Sequence, residues 1–124
     1  MAEDLVVVVN AANSAPRVTA QELRRLYQGQ LSRWPNQVPV RLVLPRDEDA
    51  AMGFVADLLH VGSASQVARY YLAQVFQQRA NDVPPQLSAA AAVVYVGREI
   101  GAIAIVPAVD ARGIPAVRAL TIER

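Results

Sequence analysis

The sequence predicts an α/β domain with a mostly parallel central sheet flanked by helices. Leu5–Val9 is a continuous run of apolar, mostly β-branched residues, which is typical of a strand covered on both faces. Further along, Leu23, Leu26 and Tyr27 recur at helical spacing. Strand and helix patterns continue to follow one another along the chain, as they do where helices cover a parallel sheet.

Four helices are predicted, and each follows a residue that can cap it. Thr19 and Glu22 have the spacing of a capping box, in which the hydroxyl and the carboxylate each accept a hydrogen bond from a backbone N–H. Ser63 offers a second cap, and Ser88 opens an Ala-rich helix. We expect helices over residues 19–27, 50–60, 64–77 and 88–98.

Three further segments are predicted to be strands. Val38–Pro45 contains a proline near each end, and Gly101–Pro107 is entered through a glycine. Val117–Ile122 alternates in hydrophobicity, as a more exposed edge strand does. The predicted order is β-α-β-α-α-α-β-β in a single domain of 124 residues. Leu5–Asn10 and Ala102–Val106 are expected to be its buried strands.

The composition excludes several classes of protein. The chain has no Cys and one His, and none of its twelve basic residues is Lys. Thiol nucleophiles, zinc ribbons, multi-histidine metal sites and Lys-dependent phosphate loops are therefore excluded. A net charge of +1 and scattered arginines argue against nucleic-acid binding. No apolar run is long enough to span a bilayer, so no membrane span is expected. No cofactor is expected either.

The candidate chemical groups are few. No segment combines an acid, a base and a nucleophile, so no catalytic residue and no enzymatic activity are predicted. His60 is expected at a helix end in a structural role. The acidic run Asp47–Asp49 precedes a predicted helix, where carboxylates cap the first turn and favour the positive end of the dipole. A calcium loop is the alternative interpretation, but Met52 stands where the EF-hand form requires glycine.

Taken together, these segments resemble the second lobe of the phosphate-binding periplasmic proteins, the solute receptors of phosphate ABC transporters. The resemblance rests on the Val-rich strand ending at Asn10, the helix closing as Leu26-Tyr27-Gln28-Gly29-Gln30, the Trp34-Pro35-Asn36 turn, and the strand start Gly101-Ala102-Ile103. It covers nearly the whole chain. It implies a single lobe of the type 2 periplasmic-binding-protein fold over residues 1–124, where the family has two lobes.

The resemblance also implies a ligand site at the start of the second long helix. The family pattern there is RxDGSGT, in which hydroxyls and helix N-terminal amides hold phosphate oxygens. Aligned from Arg46, the family's Asp falls on Glu48 and its first Gly on Asp49. Its Ser and Thr fall on Ala50 and Met52, so both hydroxyl donors are lost. The implied ligand-binding residues are therefore Arg46, Glu48, Asp49 and Ala50.

These departures predict weaker phosphate binding. Two like charges about 4 Å apart repel by roughly 1 kcal/mol in water and by more in a partly desolvated cleft. Each lost hydroxyl removes about 1.5–3 kcal/mol of charge-assisted hydrogen bonding. We expect a non-catalytic, solute-binding-protein-like domain in which phosphate or oxyanion binding is weak or lost. The alternative is a protein–protein interaction or sensory module that reuses one lobe of the fold.

The resemblance also frames the expected partners and location. The partners are a small oxyanion such as phosphate, or a protein partner or homo-oligomer that supplies the missing lobe. An interaction module would use the apolar residues Ala50, Ala51 and Met52, where the family has polar ones. Because the family is exported, we expect a periplasmic or exported protein if a leader has been removed, and a cytoplasmic one otherwise.

Overall fold

A mixed sheet with helices on both faces forms the centre of the computed structural model, which describes residues 4–14, 17–78 and 82–123. The elements in chain order are β1 (Leu5–Asn10), β2 (Val18–Thr19), α1 (Ala20–Tyr27), β3 (Arg41–Leu42), α2 (Ala50–Leu58), α3 (Ala64–Phe76), α4 (Ala89–Arg98), β4 (Ala102–Pro107), α5 (Ala108–Ala111), β5 (Val117–Leu120) and β6 (Ile122–Glu123). The α/β class is confirmed, and the four predicted helices lie within two residues of their expected ends. The short elements β2 and α5 have no counterpart among the predictions, and the single strand predicted over Val117–Ile122 is divided into β5 and the start of β6.

Local capping explains where three of the helices begin. The Thr19 hydroxyl accepts from the Glu22 N–H at 3.1 Å, and the Glu22 carboxylate accepts from the Thr19 N–H at 3.4 Å, which completes the predicted capping box. The hydroxyls of Ser63 and Ser88 accept from backbone N–H groups in the first turns of α3 and α4. These starts are therefore set by short-range hydrogen bonds that are visible in the sequence.

The four-stranded sheet has the order β3-β4-β1-β5. β1 runs antiparallel to both β4 and β5, whereas β3 and β4 are parallel. A separate parallel pair joins β2 and β6. The expectation of a mostly parallel sheet is therefore corrected to a mixed one. A run such as Val7–Val9 indicates that both faces are covered, but it carries no information on the direction of neighbouring strands.

The two faces of the sheet bury separate sets of side chains. Val7 and Val9 lie in a core with α1, α2 and α3, and Val8 lies in a second core with α4. Successive side chains of a strand point to opposite faces, so a strand covered on both sides is apolar throughout. Leu5–Asn10 and Ala102–Val106 are confirmed as the central pair of strands.

Gly101 is required where β4 begins. A Cβ atom at this position would lie 1.9 Å from the carbonyl oxygen of Pro39. The Gly101 carbonyl accepts from the indole N–H of Trp34 and from the backbone N–H of Arg41, each at 2.9 Å. These contacts hold the segment that leads into β3 directly against β4.

The parallel strands β3 and β4 end at the same edge of the sheet, and two helices begin there. The chain leaves β3 through Val43–Pro45 and enters α2 a few residues later. Leu44 forms a parallel bridge with Gln86, and the Leu87 N–H donates to the Leu44 carbonyl at 2.9 Å. Because α4 follows directly, the N-termini of α2 and α4 are brought together at this edge.

Candidate functional site

A cavity of about 240 Å³ opens at the edge where β3 and β4 end. Most of its wall is apolar and comes from β4, from the segment after β3 and from the first turns of α2 and α4. Its polar side chains are those of Arg46, Asp49, Ser88 and Asp110. A concave, mostly apolar site with a few convergent polar groups is the usual form of a small-ligand site.

Three of the four predicted ligand-binding residues line this cavity. Arg46, Asp49 and Ala50 contribute to its wall, and Glu48 lies outside the residues that line it. The Glu48 Oε1 atom instead lies 2.9 Å from Nη2 of Arg46, and both side chains are more than half exposed. The one arginine of the cavity is therefore already paired with a carboxylate.

Asp49 occupies the N-cap position of α2 without using its carboxylate as a cap. Its backbone N–H donates to the Arg46 carbonyl, and its own carbonyl accepts from the Met52 N–H, each at 3.0 Å. Its side chain makes no capping hydrogen bond within the part of the chain that the structure describes. The Asp47 carboxylate accepts from Nε2 of Gln86 at 2.6 Å. The predicted capping of α2 by this acidic run is thus not found, because two of its carboxylates have other partners.

Of the remaining sequence candidates, Ala51 adds to the apolar wall of the cavity, and Met52 and His60 lie outside it. Met52 is 2% exposed and Ala51 is 3% exposed, and both belong to the core between α2 and α3. The interaction surface expected from Ala50, Ala51 and Met52 is therefore wrong, since two of the three are buried. His60 is exposed just after α2 with a φ of 58°. Among the described residues, no group of three His, Cys, Asp or Glu side chains could hold a metal ion.

Ser88 and Asp110 complete the polar lining, and sequence reasoning did not place either of them in the site. The Ser88 hydroxyl accepts from the Ala91 N–H at 3.2 Å, which leaves its hydrogen available to a ligand. The capping pattern at Ser88 could have placed this residue in the site, because helices that follow parallel strands begin at the same edge of the sheet. Asp110 lies in the four-residue helix α5, for which the sequence offers no local signal.

The charged residues that line the cavity carry a net negative formal charge. Asp49 and Asp110 contribute two carboxylates against the single guanidinium of Arg46, which Glu48 already pairs. Backbone N–H groups at the starts of α2 and α4 favour an anion, as helix N-termini do. The two carboxylates oppose that preference at the same place.

Comparison with solved structures shows which known proteins share this fold. An ABC-type phosphate transport receptor from Vibrio cholerae matches with a TM-score of 0.71 at 15% identity, over 97% of this chain and 46% of that one. A putative phosphate ABC transporter substrate-binding protein with bound phosphate, from Clostridium perfringens, matches with a TM-score of 0.72 at 11% identity, over 97% and 45%.

A possible phosphate binding protein from Planctomyces limnophilus gives a TM-score of 0.67 at 17% identity, over 98% and 42%. The chain therefore spans less than half the length of each of these receptors. At such identities the likeness establishes the fold. No protein-family model and no curated protein matches the chain. None of the helices in the described residues combines the length and apolar character needed to cross a bilayer.

Proposed function

We propose that this chain is a non-catalytic, receptor-type domain whose cavity at the starts of α2 and α4 binds phosphate weakly or not at all. The fold likeness to phosphate receptors supports the type of protein. The observation that carries the loss of affinity is the lining itself, which includes Asp49, Asp110 and a single arginine, Arg46, whose Nη2 atom lies 2.9 Å from Oε1 of Glu48.

The expected interaction energies favour a loss of phosphate affinity. Amides at two helix starts and the Ser88 hydroxyl would each donate to a bound oxyanion. Each carboxylate at about 4 Å costs roughly 1 kcal/mol in water and several times more in a partly desolvated cavity. Every 1.4 kcal/mol changes affinity about tenfold. Two such carboxylates therefore offset the donors and leave little net affinity for a phosphate dianion.

Calorimetric titration with phosphate tests this proposal. We expect little or no heat from the wild type and at least a tenfold gain in affinity for Asp49→Asn, which keeps the size of the side chain and removes its charge. Asp110→Asn should act in the same direction. Asp57→Asn is the matched control, because Asp57 is exposed near the other end of α2 and outside the cavity.

A second variant restores the RxDGSGT pattern of the phosphate receptors only at positions where the structure allows it. Asp49→Gly combined with Ala50→Ser returns a glycine and a hydroxyl to two positions that line the cavity. Met52→Thr is left out, because Met52 lies in the core and its truncation would destabilise the fold. A rise in melting temperature with millimolar phosphate reports binding.

Two outcomes would count against the proposal. Tight phosphate binding by the wild type would mean that the remaining donors outweigh the carboxylates. No phosphate response in the wild type or in any variant would favour the alternative, an interaction or sensory module with the same fold.

A further inference from the structure

The outer face of α4 is apolar along almost its whole length. Its sequence, AAAAVVYVGR, places Ala90, Ala91 and Val94 at solvent, and Val94 is 53% exposed. The first charged residue is Arg98 at the C-terminal end. A surface helix of a soluble domain normally carries polar residues on its outer side, and a helix that is apolar all round is normally covered.

The neighbouring segment extends this apolar face. Val109 is 66% exposed and Ile114 is 40% exposed. Ile114 and Ala116 form, with α4, an open groove of about 440 Å³, lined by Ala90, Val93, Val94, Gly97, Arg98, Asp110, Ile114 and Ala116. We call this the α4 groove. Contiguous apolar surface of this kind marks an interaction site more often than a free surface.

The two charges of the α4 groove lie toward opposite ends of the helix. Arg98 is the last residue of α4. Asp110 also lines the cavity at the start of α4, together with Ser88 and Ala89. A ten-residue helix is about 15 Å long, so the two charges are well separated. Neither takes part in an ion pair within the described residues.

The charge pattern of the α4 groove is complementary to the same groove on a second copy of the chain. A two-fold interface brings each surface patch against the same patch of a second copy, so a patch that is positive at one end and negative at the other meets its complement. We propose that the α4 groove is the interface of a two-fold symmetric homodimer. In it, α4 packs antiparallel against the same helix of the second copy, and Arg98 lies beside Asp110 of the partner subunit.

Sedimentation velocity across a range of protein concentrations, in phosphate-free buffer, tests the dimer separately from the proposed function. The wild type is expected to shift from monomer to dimer as the concentration rises. Val94→Asp should abolish the shift without unfolding the protein, because Val94 is on the surface. Phe76→Asp is the matched control, since Phe76 is 78% exposed on α3, which packs on the other face of the sheet.

Charge exchange tests the predicted pairing. Arg98→Asp and Asp110→Arg should each weaken the dimer about tenfold or more, because each places like charges together across the interface. The double variant should recover most of the loss, since the pairs are re-formed with reversed signs. Arg69→Asp, a change on the exposed side of α3, should leave the dimer unaffected, and circular dichroism confirms that each variant is folded.

Three results would overturn the inference. The first is a wild type that stays monomeric at millimolar concentration. The second is a dimer that survives Val94→Asp or is dissociated by Phe76→Asp instead. The third is a double charge variant whose dimer is no tighter than that of the weaker-binding single variant. This would show that Arg98 does not meet Asp110 of the partner subunit.

Discussion

The hydroxyl of Tyr71 donates a hydrogen bond of 2.6 Å to the backbone carbonyl of Tyr27. The Tyr27 hydroxyl in turn donates to the carbonyl of Val43 at 3.2 Å, and both tyrosines are buried. The first bond joins α3 to the end of α1, and the second joins α1 to the segment after β3. Because Val43 lines the cavity, these two bonds connect the helical core to the wall of the candidate site.

Removing the Tyr71 hydroxyl tests that connection. Tyr71→Phe is expected to lower the free energy of unfolding by about 1–2 kcal/mol, because the Tyr27 carbonyl at the end of α1 loses its donor in a buried place. Urea unfolding measures the change. Tyr95→Phe makes the same chemical change on a half-buried side chain whose hydroxyl has no hydrogen bond within the described residues, and it should alter stability much less. Equal effects of the two substitutions would contradict the assignment.

The same pair predicts a limit to stability at high pH. Burial raises the pKa of Tyr27 above its ordinary value, and burial followed by the nearby tyrosines raises the pKa of Tyr71 in the same direction. The unfolded chain releases these protons near pH 10 while the folded chain retains them. Stability is therefore complete below about pH 10 and falls above it, by up to about 1.4 kcal/mol per pH unit for each tyrosine.

Urea midpoints between about pH 8 and about pH 11.5 measure this fall. Tyr71→Phe should show a shallower decline above about pH 10, because one of the two protons is removed from the linkage. An equally steep decline in the variant would mean that other groups control alkaline unfolding.

Two glycines should respond in opposite ways to the same substitution. Gly101→Ala places a Cβ atom 1.9 Å from the Pro39 carbonyl oxygen, so the start of β4 must move, with an expected loss of about 3 kcal/mol or more. Gly53→Ala meets nothing within 4 Å on the exposed side of α2 and should stabilise the fold by up to about 1 kcal/mol. Thermal melts of both variants decide the matter, and a tolerated Gly101→Ala would show that the Pro39 segment moves readily.

Ile103 tests the packing of the central sheet. Its side chain is completely buried in β4, so Ile103→Ala is expected to cost about 2–5 kcal/mol. Ile100→Ala, three residues earlier and 47% exposed, should cost well under 1 kcal/mol. Chemical unfolding of both variants gives the comparison, and similar values would place β4 at an edge of the core.

Local signals in the sequence identify most of the secondary structure. Leu5–Asn10 is a strand with the predicted ends, and the capping box at Thr19 begins α1 as expected. The relative direction of the strands could not be obtained in this way. It depends on β1 pairing with β4 and β5, which are distant in sequence, and the periodicity of a covered strand is the same in either direction. β3 is confined to Arg41–Leu42, shorter than the apolar pattern indicates.

The candidate site was predictable in part. Arg46, Asp49 and Ala50 were placed through a resemblance at the start of α2, and they line the cavity. Glu48 is absent from the cavity lining, and its carboxylate pairs with Arg46, which does line the cavity. No local pattern in the sequence places Asp110 in the site. It lines the cavity because the chain passes the start of α4 after it leaves β4.

The central position of β1 has a consequence for biosynthesis. Leu5–Asn10 leaves the ribosome before β4 and β5, its two partner strands, have been synthesised. Joining distant segments slows folding, because the connecting chain must lose its freedom before any pairing contributes. During that interval an uncharged run of Leu and Val with high strand propensity is free to pair with other nascent chains. The strand at the centre of the folded sheet is therefore exposed to aggregation until its partner strands have been synthesised.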